Sequence, residues 1–151
     1  MGETRRKPIL VVDDDPADRE MIALAFKRAG VESPIVVVED GQEALDYLQA
    51  QGRFRSRSPE DLPKVIVLDL EMPRIDGFEF LRRVKAHPDF TSIPAVVLTT
   101  SQYDQDLARS YALGASSCIA KPGDFEQLVE ITRALGAYWC DLNRVPQGRT
   151  A

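Results

Sequence analysis

Five short apolar runs alternate with segments of helical spacing along this chain, and this alternation constrains the fold more than any other sequence feature. The runs are rich in β-branched residues and lie at Ile9–Val12, Ile35–Val38, Val65–Leu68, 95–98 and, more weakly, 118–120. Continuous apolar runs are expected of strands that are covered on both faces. Strands that alternate with helices are typical of βα units around a parallel sheet. The sequence therefore predicts an α/β fold, a doubly wound (βα)5 unit with a five-stranded parallel sheet.

The segments between the runs have apolar residues at helical spacing. The first repeats such residues from Met21 to Ala29 and ends at Gly30, a common helix stop. Capping-box patterns that begin at Asp40 and Asp124 open the second and fifth segments. The other two predicted helices are marked by apolar residues, which are Phe78, Leu81 and Val84 in the third and Leu107, Ala108, Tyr111 and Ala112 in the fourth.

The fifth helix is predicted to be long, and the stretch at 51–63 is predicted to be an exposed loop. Apolar residues continue at three- and four-residue steps from Phe125 to Leu142, which gives about 18 residues and roughly 27 Å of helix, with Gly136 as a weak point. The stretch at 51–63 has three arginines and no periodicity. We expect one domain over residues 7–135, followed by a helix extension and polar tail over 136–151.

Composition limits the classes of partner and site. A chain of 151 residues has the length of one domain, with little room for a second folded module, and its net charge of -5 argues against nucleic acid or an anionic membrane as partner. Two cysteines without metal-ligand spacing and one histidine nearly exclude zinc sites. The N-terminus lacks the apolar core of a signal peptide, and no run approaches the ~18 residues of a membrane span. We therefore expect a cytoplasmic protein.

Acidic side chains follow two of the predicted strands. Asp13, Asp14 and Asp15 follow the first strand, and Asp69 follows the third. Ligands of such sheets bind outside the carboxyl ends of the strands, where these carboxylates would converge if the two strands are neighbours. Two like charges 4 Å apart repel by about 4 kcal/mol at an effective dielectric of 20, so the cluster must hold protons or a cation. Oxygen ligands without histidine or cysteine favour Mg²⁺ or Mn²⁺.

The same edge of the sheet offers groups for phosphoryl chemistry. Thr99 follows the fourth strand and Lys121 follows the fifth, which adds a hydroxyl and a cation to the acidic cluster. Phosphoryl transfer needs a metal, a positive charge and an acceptor, and a carboxylate can act as that acceptor. The residues therefore indicate a site that could form an aspartyl phosphate.

Four sequence blocks resemble the receiver domain of bacterial two-component response regulators. They are Leu10 to Pro16, Val67 to Pro73 with Asp76-Gly77, Leu98-Thr99, and Gly114-Ala115 seven residues before Lys121-Pro122. The blocks occur in the order and at the spacing of that family, and the resemblance covers about Lys7 to Leu135. It implies a flavodoxin-like receiver fold over residues 7–135.

The resemblance also implies the role of each acidic residue. Asp69 would be the phosphoacceptor. Asp13 and Asp14, together with Asp69 and the backbone carbonyl of Glu71, would hold Mg²⁺, with Mn²⁺ as a substitute.

For the remaining site residues, the resemblance implies that Lys121 pairs with the phosphoryl oxygens and that Thr99 donates a hydrogen bond to the phosphoryl group. The Lys121–Pro122 peptide bond would be cis, as is usual in receivers. One residue departs from the family pattern, because many receivers have an aromatic switch residue in the fifth strand where this chain has Cys118.

A narrower resemblance points to stand-alone response regulators that partner bacterial phytochrome histidine kinases. It rests on the insertion around Gly52, the run at 98–101, the segment at 121–127 and the extended last helix. It implies a histidine kinase partner of the phytochrome type. It also implies a homodimer through the face of the fourth helix, fifth strand and fifth helix and through the extension, with candidate contacts at Leu135, Tyr138, Trp139 and Leu142.

The function implied is a single-domain response regulator that accepts a phosphoryl group on Asp69 and signals by protein contact. Such a protein catalyses only its own phosphorylation and dephosphorylation. The alternative is a Mg²⁺-dependent phosphatase or phosphotransferase that turns over through an aspartyl phosphate, as in the haloacid dehalogenase superfamily. That superfamily has a second Asp two residues after the nucleophile, where this chain has Glu71. A passive nucleotide or flavin fold lacks support, because neither GxGxxG nor GxxxxGK[ST] is present.

Overall fold

A single sheet of five parallel strands forms the centre of the molecule. The computed structural model describes residues 6–146, so the predicted tail at 147–151 lies outside the described residues, as do residues 1–5. The strands are β1 (Ile9–Val12), β2 (Ile35–Val38), β3 (Val65–Leu68), β4 (Ala95–Thr99) and β5 (Ser117–Ala120), in the order β2-β1-β3-β4-β5. The predicted parallel sheet is confirmed, and each predicted strand is matched to within one residue.

Five α-helices connect and follow the strands. They are α1 (Pro16–Arg28), α2 (Gly41–Gln49), α3 (Gly77–Ala86), α4 (Asp104–Ala112) and α5 (Phe125–Leu135). Four of them begin after an aspartate whose side chain accepts hydrogen bonds from backbone N–H groups of the first turn, and these N-caps are Asp15, Asp40, Asp76 and Asp124. Such capping satisfies helix N–H groups that otherwise have no partner. The helix starts predicted at Asp40 and Asp124 are therefore confirmed.

The core lies in two layers, one on each face of the sheet. In β1, Leu10 and Val12 point to the layer that α2 and α3 cover, whereas Ile9 and Val11 point to the layer that α1 and α5 cover. All four residues are fully buried. Because successive side chains of a strand point to opposite faces, a strand with helices on both faces must be apolar throughout. This requirement explains the unbroken apolar runs of the sequence.

The register of the central strands determines where the acidic residues that follow them lie. Val12 of β1 lies beside Leu68 of β3, so the next residues, Asp13 and Asp69, emerge side by side at the carboxyl edge. Backbone bonds extend the pairing past the strand ends: Asp69 N–H donates to the Val12 carbonyl at 2.9 Å, and Asp13 N–H donates to the Val38 carbonyl at 3.2 Å.

The C-terminal extension continues α5 but changes its helix type. A π-helical segment spans Gly136–Leu142, and Gly136 itself keeps helical backbone angles. A Cβ at Gly136 would lie 2.5 Å from Cγ2 of Val31, so this glycine permits close packing. The helix predicted to reach Leu142 is thus present. Gly136, which was expected to be a weak point of this helix, instead packs closely against Val31.

The candidate dimer residues differ in exposure. Leu135 is 5% exposed and belongs to the core layer beneath α1 and α5, and Trp139 is half-buried against the same layer. Tyr138 and Leu142 are 50% and 70% exposed. Leu135 therefore does not have the free surface that its predicted role requires, because its side chain completes the core of its own chain.

Helix α4 has the predicted position, but the apolar residues that marked it in the sequence are exposed. Its apolar residues Leu107 and Tyr111 are 45% and 49% exposed, and Ser110 is its only buried residue. The Ser110 hydroxyl donates to the carbonyl of Asp106 at 2.8 Å, which satisfies a polar group that would otherwise be buried alone. The apolar spacing thus located the helix but not the face that packs on the sheet.

The stretch at 51–63 is mostly exposed, as predicted, but it also contacts α2. It contains a 3₁₀ turn at Gly52–Phe54, and the ring of Phe54 packs edge-on against Tyr47 at 5.1 Å. Arg57 donates to the carbonyl of Tyr47 at 2.9 Å, and its guanidinium lies over the Tyr47 ring at 4.2 Å. Arg53 and Arg55 are exposed, as expected of an exposed loop, whereas Arg57 is half-buried and its planar group covers an aromatic residue of α2.

Replacement of Gly77 by alanine is expected to destabilise the fold by about 1–3 kcal/mol, the usual range for overpacking. Gly77 begins α3, its N–H donates to the Leu70 carbonyl at 2.9 Å, and a Cβ there would lie 2.5 Å from the backbone oxygen of Asp69. The backbone after β3 must then move. Chemical unfolding measures the change. Gly123→Ala is the matched control, because nothing lies within 4 Å of a Cβ at that position; equal effects of the two substitutions would contradict the steric argument.

Candidate functional site

Three carboxylates meet at the carboxyl edge of β1 and β3. Asp13 and Asp69 are buried, Asp14 is exposed, and one oxygen atom of each lies within 4.8 Å of the others. The loop to α1 fixes this arrangement, because the Asp15 N–H donates to Oδ1 of Asp13 at 3.0 Å and Arg19 donates to the Asp13 carbonyl at 2.9 Å. The convergence predicted for Asp13, Asp14 and Asp69 is thus present in the structure.

Lys121 follows β5 and places its ammonium group among these carboxylates. Its Nζ donates to Oδ2 of Asp13 and to Oδ2 of Asp18, both at 2.8 Å, and lies 3.7 Å from Oδ1 of Asp69. The sequence did not single out Asp18. An acidic residue in the first turn of a helix is usually explained by the helix dipole, so no sequence signal distinguished it.

The Lys121–Pro122 peptide bond is trans, so the expected cis bond is wrong for this structure. The trans form is the more stable one for X–Pro bonds by about 0.5–1 kcal/mol. Lys121 reaches Asp13 with the trans bond in place, so the contacts of the lysine do not require the cis form.

Asp69 has an oxygen atom that the protein itself leaves without a partner. Within the part of the chain that the structure describes, Oδ1 of Asp69 is buried and has no hydrogen-bond partner. A buried oxygen without a partner costs free energy, typically about 1–3 kcal/mol, unless a ligand satisfies it. Together with the neighbouring carboxylates, this oxygen fits a hard divalent cation, which prefers oxygen ligands.

Burial raises the pKa of the two buried carboxyl groups of this site, Asp13 and Asp69, above that of ordinary carboxylates. It raises the pKa of Asp69 to about 6; the charge of Lys121 opposes this rise and the charge of Asp13 adds to it. Burial likewise raises the pKa of Asp13, and hydrogen bonds from Lys121 and the Asp15 N–H offset part of the change. The crowded carboxylates therefore bind either a proton or a cation, as the sequence indicated.

Lys121 keeps its positive charge in this environment. Burial alone favours the neutral amine, but hydrogen bonds to Asp13 and Asp18 and the charges of Asp69 and Asp13 outweigh it and raise the pKa of Lys121. The lysine is therefore a permanent cation at physiological pH, suited to a group that develops negative charge at Asp69.

Thr99 ends β4, and the loop that follows it contacts Glu71 in the loop after β3. Thr99 is buried, and its Oγ1 accepts a hydrogen bond from the Ser101 N–H at 3.3 Å. The hydroxyl of Thr100 donates to the side chain of Glu71 at 3.4 Å. The loop after β4 is also tied to α4, because the Ser101 hydroxyl donates to Asp106 at 2.5 Å.

A cavity of about 230 Å³ opens between β4, β5 and α4, next to the site. Its lining includes Thr99, Leu107, Ser110 and Cys118. The backbone N–H of Cys118 donates to the hydroxyl of Tyr111 at 3.2 Å, and burial raises the pKa of the Cys118 thiol. Cys118 is therefore one of the residues that line the open space between α4 and β5.

Comparison with known proteins assigns the family. A sequence profile described as the response regulator receiver domain matches residues 9–133, most of the chain. The chain belongs to this family. The resemblance seen in the motifs is confirmed, and so is the receiver fold, which the order β2-β1-β3-β4-β5 already indicated. The matched family is one of signalling receivers, so the phosphatase alternative finds no support.

Two curated relatives match nearly the whole receiver. This chain is 39% identical to the probable methanogenesis regulatory protein FilR2 of Methanothrix harundinacea over 138 residues, which is 91% of this chain and 86% of the relative. It is 33% identical to the response regulator Rcp1 of a Synechocystis strain over 140 residues, which is 93% of each chain.

Solved structures of similar proteins include regulators from phytochrome signalling. The phosphorylated cyanobacterial phytochrome response regulator RcpA superposes with a TM-score of 0.84 at 35% identity, covering 93% of this chain and 99% of that chain. The Mn²⁺-bound form of Rcp1 superposes with a TM-score of 0.81 at 31% identity, covering 93% and 99% of the two chains. The receiver is therefore similar to phytochrome-associated response regulators, and one such relative binds a divalent metal.

Between residues 6 and 146, no helix is long and apolar enough to cross a bilayer.

In metal-free buffer, Asp69→Asn is expected to raise the unfolding midpoint at pH 7. The pKa of Asp69 in the folded receiver is about 6, above the ordinary 3.8, so between about pH 4 and pH 6 the native state holds a proton that the unfolded state has lost. At pH 7 the carboxyl is ionised in both states, and its buried charge destabilises the native state. Wild-type stability therefore falls as pH rises from about 4 to about 6, and the advantage of the variant grows over that range and then levels off. Thermal unfolding with a chelator from pH 4 to 8 measures the difference; a constant difference would contradict the raised pKa.

With a divalent metal present, the wild type should have a higher unfolding midpoint than Asp69→Asn. Mn²⁺ or Mg²⁺ that binds only the folded wild type stabilises it by mass action, by about 2.7 kcal/mol at 100 times the dissociation constant. Asp69→Asn and Asp13→Asn should lose most of that stabilisation. A wild type that gains nothing from either metal would show that the acidic cluster is no metal site.

Proposed function

We propose that this receiver accepts a phosphoryl group on Asp69 from a histidine kinase and signals the change by protein contact. The observation that carries the proposal is the environment of Oδ1 of Asp69. This atom is buried, has no hydrogen-bond partner among residues 6–146 and lies 3.7 Å from the ammonium of Lys121. An acceptor needs an oxygen that is not already engaged and a nearby positive charge to stabilise the transferred group. Asp69 has both.

Mg²⁺ is the proposed cofactor, held by Asp13, Asp14 and Asp69 and by the backbone carbonyl of Glu71. The three carboxylates offer oxygen atoms within 4.8 Å of one another, which suits a hard cation. When bound, the ion neutralises charge on the phosphoryl oxygens and on the carboxylates. The relative Rcp1 in its Mn²⁺-bound form supports a divalent ion here.

Lys121 and Thr99 are the proposed phosphoryl ligands. The ammonium of Lys121 can turn from its present partners toward a phosphoryl group on Asp69, because it already lies within ion-pair distance of that carboxylate. The hydroxyl of Thr99 is a donor at the end of the neighbouring strand β4. In this proposal the receiver catalyses only its own phosphorylation and dephosphorylation.

Phosphorylation would change the charge at this edge by about -1.5 to -2. A hydrogen bond from Thr99 to the phosphoryl group would move Thr99 and the loop that joins β4 to α4. In this loop the Ser101 hydroxyl donates a hydrogen bond to Asp106. Helix α4 is the element that responds in this proposal, since Ser110 is its only buried residue and an open cavity lies beneath it.

The kinase partner proposed is of the phytochrome type. Similarity to RcpA, described as a phytochrome response regulator, supports this choice over an unrelated sensor.

A homodimer through the face of α4, β5 and α5 and through the extension is the proposed assembly. On α4, Leu107 and Tyr111 are four residues apart and are 45% and 49% exposed, and Tyr103, which immediately precedes the helix, is 70% exposed. Residues four apart lie on one side of a helix, so Leu107 and Tyr111 form a single apolar stripe. Tyr138 and Leu142 extend the exposed apolar surface onto the extension, whereas the burial of Leu135 removes it from the proposed interface.

Acetyl phosphate with Mg²⁺ is expected to add one phosphoryl group to the wild type, and Asp69→Asn should abolish the addition, because the amide cannot act as the acceptor. Intact-protein mass spectrometry and phosphate-affinity electrophoresis measure the product. Asp141→Asn is the control, since it removes an exposed carboxylate of the extension and should leave labelling unchanged.

The same assay identifies the donor. Autophosphorylated histidine kinases, including phytochrome types, replace acetyl phosphate, and the fastest transfer names the class of partner. Labelling that persists in Asp69→Asn would overturn the assignment of the acceptor, while transfer only from kinases without a phytochrome module would overturn the proposed partner class.

The double substitution Tyr138→Ser, Leu142→Ser is expected to weaken or abolish self-association while leaving the receiver folded, because both side chains are exposed in the monomer. Light scattering over a concentration series measures the mass, with and without phosphorylation. Met21→Ser with Leu24→Ser, which removes exposed apolar residues from α1, is the matched control. A wild type that stays monomeric in both states would overturn the proposed assembly.

A further inference from the structure

Lys121 is shared between two carboxylates, neither of which is the proposed acceptor. Its Nζ donates at 2.8 Å to Asp13 and at 2.8 Å to Asp18, and it is 0.9 Å farther from Oδ1 of Asp69, at 3.7 Å. An ammonium has three donors, so these two bonds occupy most of its capacity. The lysine is held close to Asp69 without bonding to it.

The two partners of Lys121 differ in what else they do. Asp13 is buried and belongs to the carboxylate cluster that fits a metal. Asp18 lies in the first turn of α1, outside that cluster, and its side chain is 41% exposed. Asp15 already provides the N-cap of α1 through its side chain. The hydrogen bond to Lys121 is therefore the distinctive contact of Asp18, beyond the general preference for acidic residues in a first turn.

We propose that Asp18 is a positioning residue that competes with phosphorylated Asp69 for Lys121 and so weakens the hold of the receiver on its phosphoryl group. This inference rests on the proposed function. In the unphosphorylated receiver, the bond to Asp18 stabilises the lysine in its present direction. When a phosphoryl group occupies Asp69, the lysine must loosen or give up that bond to pair with the new oxygens. The free energy of the Asp18 bond therefore opposes the phosphorylated state.

The size of this effect follows from the exposure of Asp18. A partly exposed ion pair shifts an equilibrium constant by about two- to fivefold. Removal of the Asp18 carboxylate should thus raise the affinity for a phosphoryl mimic by about that factor.

Beryllium fluoride in saturating Mg²⁺ provides the test, because it mimics a phosphoryl group without forming a covalent product. Isothermal titration calorimetry on the full chain gives its dissociation constant. Asp18→Asn is expected to bind it about two- to fivefold more tightly than wild type. Glu20→Gln removes an exposed negative charge from the same helix without a hydrogen bond to Lys121, and its affinity should equal that of wild type.

A double-mutant cycle tests whether the effect acts through the lysine. In a Lys121→Ala background, Asp18→Asn should leave the affinity for beryllium fluoride unchanged, because there is no ammonium group for which Asp18 and beryllium fluoride could compete. Thermal unfolding checks that each variant is folded.

The outcomes separate the inference from the function on which it rests. A wild type that does not bind beryllium fluoride would overturn the proposed function. If wild type binds and Asp18→Asn binds equally or more weakly, the competition is overturned. A gain that Glu20→Gln reproduces, or that persists without Lys121, would be a general charge effect and would also overturn it.

Discussion

The repulsion between two buried carboxylates, Asp13 and Asp69, is the constraint on which the rest of the site depends. Adjacent parallel strands in register force them together, and burial deprives both of the water that would otherwise screen their charges. Lys121 relieves part of this repulsion, yet within residues 6–146 one oxygen of Asp69 has no hydrogen-bond partner. The site thus has an excess of negative charge, which favours a bound cation. In the proposed function that cation, together with Lys121, offsets the negative charge that a phosphoryl group adds.

The fold tolerates this unfavourable repulsion because the surrounding strands are well buried and their backbone groups are hydrogen-bonded. Strands β1 and β3 are apolar on both faces and fully or almost fully buried, and backbone bonds continue past their ends to Asp13 and Asp69. Gly77 lets the start of α3 approach the Asp69 backbone closely. Close packing on this side limits how far Asp69 can move away from Asp13, so relief has to come from a ligand or a proton rather than from displacement.

Much of the fold and the acidic cluster could be predicted, because each depends on a strong periodic or positional signal. Doubly covered strands must be apolar throughout, so the runs at Ile9–Val12 and Val65–Leu68 located both the strands and the aspartates that follow them. The contact between Lys121 and Asp18 could not be predicted, because it joins residues 103 positions apart through side-chain conformation alone. The outward face of α4 was missed for a related reason, since apolar spacing marks a helix but cannot say whether its stripe meets the core or a partner.

That outward face connects the chemistry of the pocket with the surface of the molecule. Helix α4 has Ser110 as its only buried residue and lies over a cavity of about 230 Å³, so it has few contacts to lose if it shifts. Elements with little buried apolar area are the ones that move at small free-energy cost. Because Thr99 and the Ser101–Asp106 hydrogen bond link this helix to the carboxyl edge of β4, a charge change at Asp69 need only alter a few polar contacts to bias its position. In the proposed cycle, phosphorylation of Asp69 changes the charge at the closely packed ends of β1 and β3, and the loosely packed helix α4 shifts in response.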